Sequence, residues 1–336
     1  MKSLYLRIFT GLLALFSFQA FAHVRWFVPV GTELPDMSLP MDWISALILF
    51  GGACFVISVF VIAKFGQMNQ RFGDALFNPW NSKHNIEWYI LFGLVNLLFL
   101  HNLLLGEFLG PHFFIAHDKI IVGVVLQSLV LIGSVISLAF TGLILFLIAL
   151  VSLLFFSFES GIDYFFEIAS LGIAYILIST RISQFDRGMF NRFGLEQLKH
   201  YAPVILRVGL GIQLFTLAMH NKFYEPAATY FFLEEHPYYN FPNFFGWTDF
   251  THLHFALAAG TFEALFGIML TFGLATRYVL LVIAFFFAST GVISGLDELM
   301  GHLPIFGFVA VLFVYGDTKF GVKEEQDTSG AIPAAA

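Results

Sequence analysis

One carboxylate, Glu263, sits alone inside an apolar stretch that opens Thr251-His252-Leu253-His254. An acid at that depth in a membrane span must be paired, protonated or exposed to a water-filled cavity, because its charge is costly there. Arg207 is the base within a span expected to reach it. The two form either a proton or ligand site or a fold-fixing ion pair. Histidines supply the second kind of chemistry. Of 11, His84 and His200 map to the inner side. His23, His101, His112, His117, His220, His236, His252, His254 and His302 map to the outer side or the outer third of a span. Imidazoles gathered beside carboxylates are what a metal or haem site uses. No spacing among them makes a strong metal motif of the His-Glu-x-x-His kind.

Geometry narrows these roles. Cys54 is the single cysteine, so any copper or iron must be held by His, Met, carboxylate or backbone. His23, His252, His254 and His302 are the expected metal ligands, with His101 and His220 as cofactor-binding residues. On a helix, two residues turn about 200°, so His252 and His254 share an ion only if the helix starts after His254. Eleven residues separate His252 from Glu263, which returns to nearly the same face about 16 Å deeper. Ala256, Ala259, Gly260 and Gly267 lie on or near that face. It is either an inter-helical cavity, with His252 at its mouth and Glu263 at its floor, or the seat of a neighbouring helix.

The elements that must position these residues are membrane helices. The chain is 58% hydrophobic and 12% charged, with mean hydropathy +0.82. Soluble domains carry roughly 25% charged residues. The expected fold is all-α, a polytopic membrane bundle with nine spans at 43–64, 86–107, 119–138, 140–157, 162–180, 201–222, 252–273, 277–294 and 303–316. A tight turn is expected at Phe140-Thr141-Gly142. Residues 1–22 read as a signal peptide: Lys2 and Arg7, an apolar run, then Ala20-Phe21-Ala22. Cleavage would expose His23, whose amine and ring could chelate copper, at the head of a periplasmic segment 23–42. Of the bases beyond the signal, only Arg25, Lys119 and Lys222 fall outside. The tail 318–336 is then cytoplasmic, as the positive-inside rule requires of a bacterial inner-membrane protein. The acidic outer face and net charge of −7 favour cations and exclude nucleic acid as a partner.

The two halves echo one another. Phe99-Leu100-His101-Asn102 matches Ala218-Met219-His220-Asn221, and Glu107 and Glu225 follow. Ser160-Gly161-Ile162-Asp163 matches Ser294-Gly295-Leu296-Asp297, and Gln127 falls near the place of Glu263. Units 86–180 and 200–317 are therefore expected as tandem four-helix repeats, with the helix at 43–64 extra and an insertion at 224–250. Pro226, Pro237 and Pro242 forbid one long helix in that aromatic insertion. It reads as an interfacial belt or a lid over a hydrophobic ligand such as a quinone.

Arg207-Val208-Gly209 with Lys222-Phe223, then Glu263-Ala264-Leu265-Phe266-Gly267 and Phe272-Gly273-Leu274-Ala275-Thr276-Arg277, resemble the DoxX-like family of four-helix membrane proteins. The resemblance covers residues 200–317, about a third of the chain. It implies Arg207 and Glu263 as shared intramembrane polar residues. It makes 86–180 a degenerate copy, with Phe92 near the place of Arg207. The implied function is a quinone-linked subunit or accessory factor of a periplasmic oxidation, with a periplasm-facing redox or metal site. Its cofactor would be quinone, copper or haem iron, and its partner a periplasmic redox or metal-carrier protein. Two other expectations stand beside it: a copper-handling membrane protein built on His23 and the outer histidines, and a membrane assembly factor without chemistry.

Overall fold

The computed structural model describes residues 33–66, 85–114, 117–155 and 158–316. The signal segment 1–22, His23 and the tail 318–336 lie outside them. Helices form over each apolar stretch: α1 (Trp43–Gly66), α2 (Ile86–Leu105), α3 (Ile120–Ile136), α4 (Leu138–Phe155), α5 (Phe158–Ile182), α6 (Gln184–Phe190), α7 (Leu195–Leu198) and α8 (Ala202–Ala218). There follow α9 (Pro226–Glu235), α10 (Phe241–Phe244), α11 (His252–Phe272), α12 (Thr276–Ser294), α13 (Leu296–Gly301) and α14 (Leu303–Tyr315). Six helical stretches are long and apolar enough to cross a membrane: Trp43–Val61, Ile86–Leu105, Leu138–Phe155, Gly161–Ile182, Leu195–Tyr224 and His252–Phe272. Ile120–Ile136, Thr276–Gly291 and Leu303–Tyr315 are shorter apolar helices. The protein is a multi-pass helical bundle suited to a lipid bilayer.

One departure from an all-α chain is a small antiparallel ribbon, β1 (Glu107–Phe108) with β2 (Gly110–Phe114). Gly106, in the left-handed region at φ 74°, ends α2 and donates its amide to the Asn102 carbonyl. The chain thereby folds back, and Glu107 lies against the helix end it has just left.

Glycines set the closest helix crossings. A Cβ on Gly267 of α11 would fall 2.6 Å from the Gly211 carbonyl oxygen of α8. One on Gly172 of α5 would fall 2.6 Å from the Gly142 carbonyl oxygen of α4. Backbone therefore meets backbone at both crossings, as small residues permit in membrane bundles. Elsewhere α8 lies on α5, and α2 on α14. A single core runs through the bundle, with Trp88, Phe99, Leu145, Tyr175, Leu210 and Phe308 buried in it. A second cluster, including Ile44, Phe232, Tyr239, Phe250 and Phe255, joins the insertion to α1 and α11.

The expected turn at Phe140-Thr141-Gly142 lies elsewhere: the break falls at Ser137, and those three residues sit inside α4. The cause is distant in sequence. Asp186 of α6 accepts the Leu138 amide at 2.7 Å and the Ala139 amide at 3.3 Å, and the Ser137 hydroxyl donates to it. It thus caps α4 from another element, satisfying donors that a helix start leaves open. The insertion breaks as its prolines require, into α9, a 3-10 turn at Pro237–Tyr239 and α10.

Candidate functional site

The polar centre of the molecule hangs on six residues. After Ala218 the helix α8 widens into a π-helix over Met219–Tyr224. Such wider turns are rare and recur at functional sites. This one carries His220, Asn221 and Lys222. Gly260 of α11 makes the fit possible: a Cβ there would lie 2.8 Å from the Lys222 Cβ and 3.0 Å from the Phe223 ring. With that notch empty, Lys222 reaches one turn further along α11. Its ammonium stands 3.0 Å from Glu263 Oε2. Both side chains are buried, Lys222 completely.

This pairing corrects one expectation. Arg207 is not the partner of Glu263. Its guanidinium lies against Gly273, the left-handed residue that closes α11, and a Cβ there would strike it. Gly273 is ten residues beyond Glu263, about 15 Å along a helix. A regular span ending at Lys222 would leave it at the rim, among the surface bases, which is where the sequence alone puts it. The π-helical turn and the Gly260 notch turn it inward instead. The small-residue face of α11 is likewise no open cavity, since α8 and the π-turn fill it at Gly260 and Gly267.

The same turn holds a second pair. His220 Nδ1 lies 2.9 Å from Asp163 Oδ1 of α5, and Asn221 donates to Asp163 Oδ2 at 3.3 Å. His220 Nε2 faces Glu225 at 3.7 Å. Asp163 is itself held by an unusual device. Gln213 of α8 inserts its amide into the first turns of α5. Its Nε2 donates to the Asp163 carbonyl at 2.7 Å, and its Oε1 accepts the Phe166 and Glu167 amides at 3.0 and 3.2 Å. A side chain placed in the helix ladder fixes the register of that turn. The carboxylate on it is thus aimed at the π-helix. A carboxylate against one imidazole nitrogen orients the ring.

The remaining histidines do not converge. The helix α11 begins at His252, so His252 and His254 point apart. His254 closes a capping box with Thr251 and places Nε2 2.8 Å from Asp42 Oδ2. Asp42, just ahead of α1, is held below the usual carboxylate range by the Ser45 amide, with His254 adding to the effect. His252 Nδ1 meets the Asn240 amide at 3.0 Å and its ring stands edge-on to Tyr230. The Glu234 carboxylate accepts from Tyr230 and keeps its phenol above the ordinary value. His302 stacks on Phe287 at 4.0 Å. His101 lies 4.0 Å from Glu107 Oε2. Among the described residues, no three His, Cys, Asp or Glu side chains come together to hold a metal. The expected set of His252, His254 and His302 is dispersed, and His23 lies outside the described residues.

Sequence reasoning missed Lys222, Asp163 and Gln213 as parts of one site. Lys222 was visible in the Lys222-Phe223 element of the family resemblance. Gln213 and Asp163 carry no local signal. No family model, curated protein or solved structure matches this chain. The motif residues alone therefore carry the DoxX-like resemblance.

Proposed function

We propose that this chain is a DoxX-like protein of the bacterial inner membrane that moves protons for a quinone-linked oxidation on the periplasmic side. It acts there as a subunit or accessory factor. One observation carries the reading: a single π-helical turn presents two adjacent acid–base pairs, His220 with Asp163 and Lys222 with Glu263. The first faces the outer end through Glu225, and the second lies inside the bundle. Reduction of a quinone takes up two protons with two electrons, and oxidation of the quinol returns them. A paired acid and base at membrane depth can take or give a proton without leaving a lone charge in hydrocarbon. In this reading the mature N-terminus is periplasmic, the tail is cytoplasmic, and all nine apolar helices cross.

Packing supports the tandem-repeat part of the reading. The first helix of each expected unit lies on the last helix of the other: α8 on α5, and α2 on α14. That is the arrangement two parallel units take about an axis along the membrane normal.

The test is binding of decylubiquinone to the detergent-purified chain in nanodiscs, read by quenching of tryptophan fluorescence. Saturable binding near one per chain is expected, weakened about tenfold in Glu263→Gln, which corresponds to roughly 1.4 kcal/mol. Only linear, non-saturable quenching would sink the quinone link.

A further inference from the structure

Glu167 is a buried acid that the pairs described above leave unused. It lies on α5 in the apolar stretch Gly161–Ile182, about 9 Å along the helix from Gly161. It is 5% exposed. Its backbone is engaged: the amide donates to Gln213 Oε1 at 3.2 Å, and the carbonyl accepts the Ser170 hydroxyl at 2.9 Å. Its carboxyl meets no hydrogen-bond or ion-pair partner among the described residues. The helices packed on this part of α5 supply no base. α4 carries no charged residue. Arg207, the single base on α8, lies against Gly273 of α11. α6 and α7 meet α5 at Thr180, about 20 Å further along. An acid at membrane depth without a counter-charge is costly as a carboxylate, and the neutral acid avoids that cost.

Asp163 stands one turn earlier on the same helix, held by His220 and Asn221. Residues four apart are neighbours on a helix face, about 5–6 Å between Cβ atoms. Gln213 ties the two acids together in a second way. In a regular helix the Asp163 carbonyl would accept the Glu167 amide. Here both bond the Gln213 side chain, at 2.7 and 3.2 Å, and Gln213 is 1% exposed. A buried amide is thus set into the one turn that separates the acids. We propose that Glu167 is a proton-carrying residue that exchanges its proton with the His220–Asp163 pair along this face of α5. The proposal rests on the reading of that pair as part of proton movement and extends the path deeper into the span. The step balances. Glu167 gives up one proton, across one water at most, and the Asp163 carboxylate takes it, so the two acids keep one negative charge between them. From Asp163 the proton passes to His220 Nδ1, 2.9 Å away.

Infrared spectroscopy of the purified full-length chain in nanodiscs, transferred from H2O to D2O, reads the step. The wild type is expected to show the carbonyl stretch of a neutral carboxylic acid, lost in Glu167→Gln and shifting as deuterium replaces the proton. In Asp163→Asn the band should remain, and its exchange should slow by roughly a hundredfold, the lower end of what a positioned acid–base group contributes. Loosened packing would speed exchange, so slowing cannot arise from misfolding. No quinone is present in this experiment, so failure of decylubiquinone binding and failure of the proton path are separate results. The proposal is overturned if Glu167→Gln removes no such band, if the band never exchanges, or if it exchanges as fast in Asp163→Asn as in the wild type.

Discussion

The C-terminal end of α2 and the π-turn that follows α8 carry the same His-Asn step and end in opposite states. At α8, His220 and Asn221 both reach Asp163, and the next residue, Lys222, pairs with Glu263. At α2, His101 stands off from Glu107, Asn102 is buried without a hydrogen-bond partner among the described residues, and the next residue is Leu103. Gln127, buried on α3, donates to the Glu107 carbonyl oxygen. A span tolerates a matched pair or a neutral amide, and it does not tolerate half of a pair. The 3.0 Å contact between two buried side chains makes Lys222 and Glu263 one pair.

Breaking the pair from the lysine side should have the largest effect. Lys222→Met strands Glu263 in the bundle and should lower stability by about 3–5 kcal/mol, measured by thermal unfolding in detergent. Filling the glycine seam comes next. Gly267→Val forces α11 off α8 at the Gly211 crossing and should cost roughly 1–3 kcal/mol. The equivalent test in the first half is Gly172→Val at the α4–α5 crossing, with a loss of similar size. Asp163→Asn keeps the shape beside His220 and Asn221 but removes the charge that orients the ring. About 1–3 kcal/mol should be lost, together with any pH dependence of quinone binding.

The smallest effect is expected at the clasp between His254 and Asp42. Asp42 titrates below its unfolded value, so its contribution is present above about pH 4 and is lost as pH falls through the lowered folded value. Asp42→Asn should reproduce that loss at neutral pH, read as faster proteolysis of the segment ahead of α1. An unchanged digestion rate would remove the His254–Asp42 contact from the account.

Hydropathy made much of this fold legible in advance. A long apolar run has few conformations open to it in lipid, so each run between 43 and 316 became a helix. The glycine face of α11 and the Gly273–Arg277 turn were visible for the same reason. Gly273 and Ala275 both take left-handed φ, and Arg277 donates to the Phe313 and Val314 carbonyl oxygens at the end of α14. What escaped was non-local. Asp186 ends α3 and starts α4 from fifty residues away in round terms. Gln213 rewires the first turns of α5 from α8. The π-helix that turns Lys222 inward depends on the notch at Gly260, in another helix. Helical periodicity takes a regular 3.6-residue turn for granted, so it left Lys222 at the rim and assigned Glu263 to Arg207. The histidines misled in a different way. Their number suggested a shared site, but His254, His252 and His302 are each engaged by separate neighbours.

The most direct measurement is a double-mutant cycle on the buried pair. Thermal unfolding would be compared for wild type, Lys222→Leu, Glu263→Gln and the double variant, which replaces the ion pair by an apolar side chain and a neutral amide. The account predicts that the double variant is clearly more stable than Lys222→Leu alone, with a coupling of about 2–3 kcal/mol. Strictly additive losses would contradict it, because they would mean that Lys222 and Glu263 do not act as a pair.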